Sequence, residues 1–332
     1  MPSPILIATR GSALALAQAT MVQARCRAAF PGQAFELKII KTTGDKLQTA
    51  SLASAELPKG LFTKEIEEAL LRREADLAVH SLKDLPTELP AGLVLGAVLP
   101  REDVRDMLVC RADRVNKRPG EAGARRLPML PEGATVATSS TRRRAQLLDL
   151  RPDLRVVPIR GNVDTRLRKL KEQADLHATL LACAGLKRLG FRITSEGALC
   201  DERPPETRPA KWTTTEGILA FALPAEEVLP CVGQAAIGVE ARTEDSRVAE
   251  ILALLDDPVT HRCVEAERAY LAAMGGGCQL AVAAWARLEG EALRLQAVSF
   301  LGDRPVRGEV RGPAGEAAAL GRALAQRVGL PR

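Results

Sequence analysis

Two units of the same kind, some 130 residues apart, constrain this chain more than any other feature. The first runs Ile5-Leu6-Ile7, then Ala8-Thr9-Arg10-Gly11-Ser12, then Ala13-Leu14-Ala15-Leu16-Ala17-Gln18. The second runs Thr135-Val136, then Ala137-Thr138-Ser139-Ser140-Thr141, then Arg142-Arg143-Arg144-Ala145-Gln146. Each reads as a short buried strand, a hydroxyl-rich turn and a helix. Such a turn aims free backbone N–H groups and hydroxyls at one spot, and the helix dipole adds partial positive charge there. Two of them in one chain imply a cleft that grips an anion through more than one carboxylate or phosphate.

The first third alternates strand and helix. Ile5–Ala8 reads as a strand, Ser12–Ala28 as a helix and Phe35–Lys41 as a half-buried strand. Leu61, Phe62, Ile66, Ala69, Leu70 and Leu71 then fall at helical spacing, followed by strands over Asp76–His80 and Leu93–Leu99. A segment rich in Arg, Gly and Pro, Arg111–Leu130, reads as a surface linker or a long loop. The pattern then restarts with strand Thr135–Thr138, helix Thr141–Leu150, strand Arg155–Ile159, helix Asp164–Ala174 and strand Ala178–Ala182. This is α/β patterning with a mainly parallel sheet in each unit. Asp201–Thr215 is a second polar excursion, and Pro230–Glu240 returns the chain to the first unit. From about Asp256 the texture changes to a helix over Val259–Met274, a glycine run, alternating strands through Gln279–Val310 and an Ala-rich helix, a small α+β unit.

Composition excludes several classes. The 332 residues are 46% hydrophobic and 27% charged, as in an ordinary globular chain. Aromatics are 3%, which argues against base-stacking platforms, while a net charge of +6 fits an acidic small ligand as well as it fits nucleic acid. No apolar run is long enough to span a bilayer, and no signal segment precedes the first strand. The seven cysteines are scattered with no CxxC pair, so neither a disulfide framework nor a metal site is expected, and a reducing cytoplasm is. His80, His177 and His261 are isolated and read as core or surface residues.

Four constellations carry chemistry. Arg10 and Ser12, then Thr138, Ser140, Arg142 and Arg143, then Arg160 and Arg166, then Lys187 and Arg188, each sit where a strand ends and a helix starts, the ligand crevice of open α/β sheets. Arg144, Arg168 and Lys169 read instead as a solvated face. Lys83-Asp84 follows a strand end, and is either a surface ion pair or a carboxylate placed to stabilise a cation or move a proton. Gly275-Gly276-Gly277-Cys278 is either a flexible connector or a loop that projects a thiol for covalent attachment. Thr42-Thr43-Gly44-Asp45 opens a polar stretch of about 14 residues without clear periodicity ending near Lys59, which is either simple disorder or a mobile active-site loop bracketed by Asp45 and Lys59.

Assembled, these residues resemble the porphobilinogen deaminase (hydroxymethylbilane synthase) family over nearly the whole chain. The resemblance is carried by Ala8-Thr9-Arg10-Gly11-Ser12-Ala13-Leu14-Ala15, Lys59-Gly60-Leu61-Phe62-Thr63-Lys64-Glu65 and Ala78-Val79-His80-Ser81-Leu82-Lys83-Asp84. Further on it rests on Thr138-Ser139-Ser140-Thr141-Arg142-Arg143, Arg160-Gly161-Asn162-Val163-Asp164-Thr165-Arg166, Ala184-Gly185-Leu186-Lys187-Arg188-Leu189-Gly190 and Gly276-Gly277-Cys278. Seven motifs in order are specific where one is weak. Two positions depart from the usual pattern: Ala235, where glycine is common, and Ala281, where proline is.

The resemblance implies two similar periplasmic-binding-protein-like α/β domains around a cleft plus a small α+β C-terminal domain. The expected division is 1–108 with 231–254, then 109–230, then 255–332 carrying the cofactor cysteine. It implies a cytoplasmic, monomeric transferase of tetrapyrrole and haem biosynthesis. Four porphobilinogen molecules are joined head to tail with release of ammonia, and hydroxymethylbilane is freed by hydrolysis. The cofactor is a dipyrromethane primer held by a thioether to Cys278, and Asp84 matches the catalytic carboxylate. Arg10, Ser12, Lys83, Thr138, Ser140, Arg142, Arg143, Arg160, Arg166 and Arg188 match residues that bind cofactor and substrate. The chemistry agrees with the residues. Each pyrrole brings an acetate and a propionate, so the growing chain is a polyanion that needs many fixed cations, and Arg pairs carboxylates in bidentate fashion. Loss of ammonia leaves a cationic azafulvene, which a carboxylate stabilises. Two other readings use fewer of these features: a non-catalytic anion receptor, which has no need of Cys278, and a nucleic-acid binder, which rests on charge alone.

Overall fold

The computed structural model describes residues 3–44, 62–116, 127–209, 214–277 and 279–329. The first unit opens with β1 (Ile5–Arg10), α1 (Ala13–Ala29), β2 (Phe35–Ile40), α2 (Lys64–Leu71), β3 (Leu77–Ser81) and β4 (Leu93–Val98). The chain then crosses into a second unit. There it forms β5 (Asp106–Arg111), β6 (Thr135–Ala137), α3 (Thr141–Leu150), β7 (Arg155–Val157), α4 (Val163–Glu172), β8 (Ala178–Ala182) and α5 (Cys183–Arg188). A two-stranded ribbon, β9 (Phe191–Ile193) with β10 (Leu199–Asp201), and β11 (Ile218–Ala222) complete that unit. β12 (Ile237–Arg242) and α6 (Ala249–Leu255) return to the first unit. The last unit is α7 (Pro258–Ala273), β13 (Val282–Glu289), β14 (Ala292–Ser299), β15 (Val306–Pro313) and α8 (Ala317–Val328).

The two five-stranded sheets have one topology. The first is ordered β2-β1-β3-β12-β4 and the second, read from the matching edge, β7-β6-β8-β5-β11. In both, the first three strands pair in parallel. In both, the fourth strand runs antiparallel to its two neighbours. That fourth strand is always the one that has just arrived from the other unit: β5 follows β4, and β12 follows β11. So the repeat legible in the sequence is a structural repeat, and each unit lends the other a central strand. Because β5 spans Asp106–Arg111, the position between residues 108 and 109 lies inside a strand.

The two crossings run side by side. Leu99 N–H donates to Ile237 O at 3.0 Å, Glu102 N–H to Ala235 O at 3.3 Å, and Leu223 N–H to Asp106 O at 2.8 Å. Ala235 holds a left-handed backbone, φ 71°, at the position where the sequence departs from a common glycine. A side chain there costs about 1–2 kcal/mol that a glycine would not.

Burial follows the alternation. Ile5, Ile7, Val79, Val239 and Ala241 pack with Ala19, Val22 and Cys26 of α1 and Val248, Ile251 and Leu255 around α6. The second sheet has apolar clusters on both faces, one with Leu167 and Leu170 of α4, the other with Leu147 of α3. In the last unit α7 and α8 cover one antiparallel three-stranded sheet. The two helices touch closely at Gly321, where an added Cβ would sit 2.3 Å from Ala266 O and 2.8 Å from Tyr270 N. Both are backbone atoms and cannot swing aside. Gly321→Ala is therefore expected to lower stability by about 1–3 kcal/mol through overpacking. Urea unfolding checks this, and an unchanged midpoint would show that the helices separate freely.

Candidate active site

Both hydroxyl turns become helix caps. Ser12 accepts from Ala15 N–H at 3.3 Å at the start of α1, and Ser140 accepts from Arg143 N–H at 3.4 Å at the start of α3. Thr138 Oγ1 accepts from Ser140 N–H at 3.2 Å and so tightens the second turn. Asn162 caps α4 in the same way, accepting from Thr165 N–H at 2.9 Å. Three helix N-termini thus stand at the strand ends, where partial positive charge and unpaired donors favour an anion.

The starts of α3 and α4 face a cavity of about 500 Å3 to which all three units contribute, and the start of α1 faces a smaller one. The first unit supplies Lys83 and Asp84, from the short turn Leu82–Asp84 that follows β3. The second supplies Ser140, Arg142, Arg143, Arg160 and Arg166. The third supplies Gly277 and Gln279, the residues on either side of 278, with Leu280 and Val282. A smaller cavity of about 60 Å3 is lined by Arg10, Ser12, Gln18, His80 and Asp84. Asp84 and Phe62 line both, and the Arg10 guanidinium lies 4.2 Å from the centre of the Phe62 ring.

The charge beneath the main cavity is anchored by Asp106, which is fully buried. Arg142 Nη2 donates to Asp106 Oδ2 at 2.8 Å and Arg143 Nη2 to Asp106 Oδ1 at 2.7 Å. Gln234 Nε2 donates to the same Oδ1 at 2.9 Å. The other nitrogens hold backbone, Arg142 Nη1 on Leu229 O and Arg143 Nη1 on Leu180 O. Burial by itself pushes the Asp106 carboxyl up, but the two guanidiniums outweigh it and hold the group well below the usual carboxylate range. Two cations against one carboxylate leave one positive charge in excess. The Nε of both arginines is buried with no partner among the described residues. Arg166 completes the field. Burial and Arg143 bring its guanidinium down to about 10, and Asp84 opposes them.

Of the candidates drawn from the sequence, Lys83, Asp84, Ser140, Arg142, Arg143, Arg160 and Arg166 line the main cavity, and Arg10 and Ser12 the smaller one. Thr138 and Arg188 line neither. Thr138 is spent on its turn, and Arg188 Nη2 donates to Ala235 O at 2.6 Å, tying α5 to the second crossing. Lys187 pairs with Glu102 at 2.8 Å on the surface. Asp45, Lys59 and Cys278 lie outside the described residues. Sequence reasoning missed Asp106, Gln234 and Cys231, the last of which lines the main cavity. Only an acid heading an apolar strand, Asp106-Met107-Leu108-Val109-Cys110, hinted at the first.

With this geometry in place, comparison with known proteins is specific. The family "Porphobilinogen deaminase, dipyromethane cofactor binding domain" matches residues 5–250, and "Porphobilinogen deaminase, C-terminal domain" matches residues 261–328. The chain is 45% identical over 330 residues to the porphobilinogen deaminase of Desulforudis audaxviator, covering 99% of this chain and 95% of that one. It is 44% identical over 328 residues to that of Paracoccus denitrificans, covering 98% and 93%. Among solved structures, the reduced OxyR regulatory domain of Pseudomonas aeruginosa overlaps 76% of this chain and 94% of its own at 13% identity, with a TM-score of 0.40.

Asp106 makes stability depend on pH in a defined direction. Its folded pKa is depressed, so its contribution is present above the unfolded carboxylate value, near 4, and is lost as pH falls below it. Asp106→Asn strands two buried guanidiniums and is expected to cost ~3–5 kcal/mol at neutral pH. Denaturation measured from pH 7 to 3 should show the gap between variant and wild type closing as the solution becomes acidic. A gap that is absent at pH 7, or constant throughout, would contradict this assignment.

Proposed function

The chain belongs to the porphobilinogen deaminase family, and from that premise we propose how its residues divide the work of condensing porphobilinogen. The family reaction joins four porphobilinogen molecules head to tail, expels one ammonia per unit and ends in hydrolysis to hydroxymethylbilane. The observation that carries the residue assignment is the single cavity in which Asp84, the arginines of α3 and α4, and both neighbours of residue 278 meet.

The cavity fits a dipyrromethane group on two grounds. Its volume of about 500 Å3 lies in the range of small-molecule sites, roughly 300–1,000 Å3. Its polar wall is cationic, as a group bearing acetates and propionates requires. Cys278 would hold the group by a thioether, and the group when bound supplies the pyrrole carbon to which substrate is added. Arg160 and Arg166, with Arg10, Ser12, Lys83 and Ser140, bind the carboxylates of substrate and chain. Arg142 and Arg143 act differently. Tied to Asp106, they set a fixed positive potential and offer their Nε donors, so they need no reorganisation as the chain grows.

Asp84 faces the substrate nitrogen. The C–N bond of porphobilinogen breaks, its electron pair leaves with ammonia, and the substrate becomes a cation at its methylene carbon. The Asp84 carboxylate stabilises that cation and the pyrrole N–H groups. The primer, when held at Cys278, would supply the nucleophilic pyrrole carbon for the new C–C bond, and the proton displaced from that carbon would pass to the released ammonia, which departs as ammonium.

Within this reading the protein is a monomer in the cytoplasm. Described residues from all three units of one chain line the cavity, which supports a site built within a single chain. The six described cysteines are free, as a reducing compartment allows. No helix among the described residues is long and apolar enough to cross a membrane.

Two measurements test the assignment. Protein folded in the presence of substrate should weigh two linked pyrrole units more than its sequence, and Cys278→Ser should lack that mass. A fully active wild type without the added mass would remove Cys278 from the account. Asp84→Asn keeps the shape of the side chain and deletes its charge, so it should fold normally and form product ~10²–10³ times more slowly. Turnover at the wild-type rate would move the catalytic role elsewhere, with Asp45 the next residue to test.

A further inference from the structure

Asp84 is exposed and sits on a single short turn, which by itself would not fix a carboxylate to the accuracy that catalysis needs. The backbone just beyond it is held from another unit of the protein. Arg268, on α7, donates through Nη1 to Leu85 O at 3.2 Å and through Nη2 to Pro86 O at 2.7 Å and Thr87 O at 3.2 Å. Three consecutive carbonyls thus converge on one guanidinium. Among the described residues, no carboxylate pairs with this guanidinium. Burial brings the guanidinium down to about 10, and Glu240 opposes that shift.

The same turn also meets the far end of α7. An added Cβ at Gly276 would sit 3.2 Å from Thr87 Oγ1, so the glycine run that follows the helix lies against Thr87. Gly277 and Gln279 then line the same cavity as Asp84. The helix itself is fixed by the neighbour of Arg268. Glu267 is fully buried, pairs with Arg101 at 2.6 and 3.0 Å, and accepts from Gly233 N–H and Ala286 N–H. A rigid helix therefore grips the turn after Asp84 with one residue and leads into the loop of Cys278 with its end.

We propose that Arg268 is a positioning residue that sets the Asp84 carboxylate in register with the loop carrying residue 278, across the boundary between the first and last units. The proposal rests on the reading of Asp84 as the catalytic carboxylate. A lysine could not reproduce the clamp, because one ammonium lacks the planar fork that spans adjacent carbonyls. Loss of the clamp leaves Arg160 and Arg166 untouched, so substrate binding should persist while the chemical step suffers.

The test is a double-mutant cycle on the primer-loaded enzyme, using wild type, Arg268→Gln, Asp84→Asn and the double variant. For each, kcat and KM for porphobilinogen, the intact mass and the urea midpoint are measured. Arg268→Gln should keep the primer mass and a KM within about threefold of wild type, and lose roughly 10- to 100-fold in kcat. In the Asp84→Asn background the same substitution should change kcat by less than about twofold, since the group it positions is already disabled. Equal losses in both backgrounds would overturn the proposal, as would a loss confined to KM or to primer content. Arg268→Gln at the wild-type rate beside a slow Asp84→Asn would reject the clamp and keep the reading of Asp84. Asp84→Asn at the wild-type rate would reject both. Arg268→Lys, which keeps the charge and some of the bonds, should give an intermediate kcat, and it takes the place of Arg268→Gln in the cycle if that variant does not fold.

Discussion

The architecture turns on one buried carboxylate. Asp106 is the first residue of β5, the strand that carries the chain from the first unit into the middle of the second sheet. Its two oxygens hold Arg142 and Arg143 at the start of α3, and Gln234 on the return crossing. From Gln234 the contacts continue to Arg101 and on to Glu267 of α7. A single run of charge-assisted bonds therefore joins the second unit, both crossings and the last unit. A buried ion pair is weak evidence for net stability, because desolvation offsets most of the attraction. What this one supplies is position. Breaking it strands charge, so the crossings and the cavity wall are held in one arrangement.

That arrangement bears on the chemistry. A chain that gains two carboxylates with each added pyrrole meets a growing electrostatic demand, and mobile surface lysines would meet it poorly. Guanidiniums fixed by a structural carboxylate present their excess charge without reorganising. In the proposed reading, the arginines tied to Asp106 serve the fold and the substrate at once. Arg160 and Arg166 stand in a different position, since Arg160 is exposed and Arg166, among the described residues, is tethered through Nε to Gly161 O. Division of the cations into anchored and available groups follows from what each one touches.

Much of this was legible in the sequence because it is local. The strand–turn–helix repeat predicted both turns, whose Ser12 and Ser140 the structure shows as helix caps, and helix Thr141–Leu150 and strand Ala178–Ala182 fall where periodicity put them. The crossing strand β5 and its partner β11 were not legible. Each is a short apolar run beside charged or Pro-rich sequence, and its place in the sheet depends on partners from elsewhere in the chain. The same limit explains Arg142 and Arg143. The turn chemistry placed them at the site, but their pairing with a carboxylate 36 and 37 residues away leaves no local signature. Arg188 follows the strand-end rule as the others do, yet its helix faces the crossing rather than the cavity, and only packing decides that. Arg268 carries no motif of its own and would read as one more helical charge.

The central claim is that one cavity, shared by three units, both holds a covalent primer and extends it by expelling ammonia. Mixing the purified protein with porphobilinogen, quenching at intervals and recording intact masses alongside released ammonia tests it most directly. The account predicts a ladder of species separated by single pyrrole units, each step matched by one ammonia. Reversible binding of porphobilinogen with no mass ladder and no ammonia would contradict it.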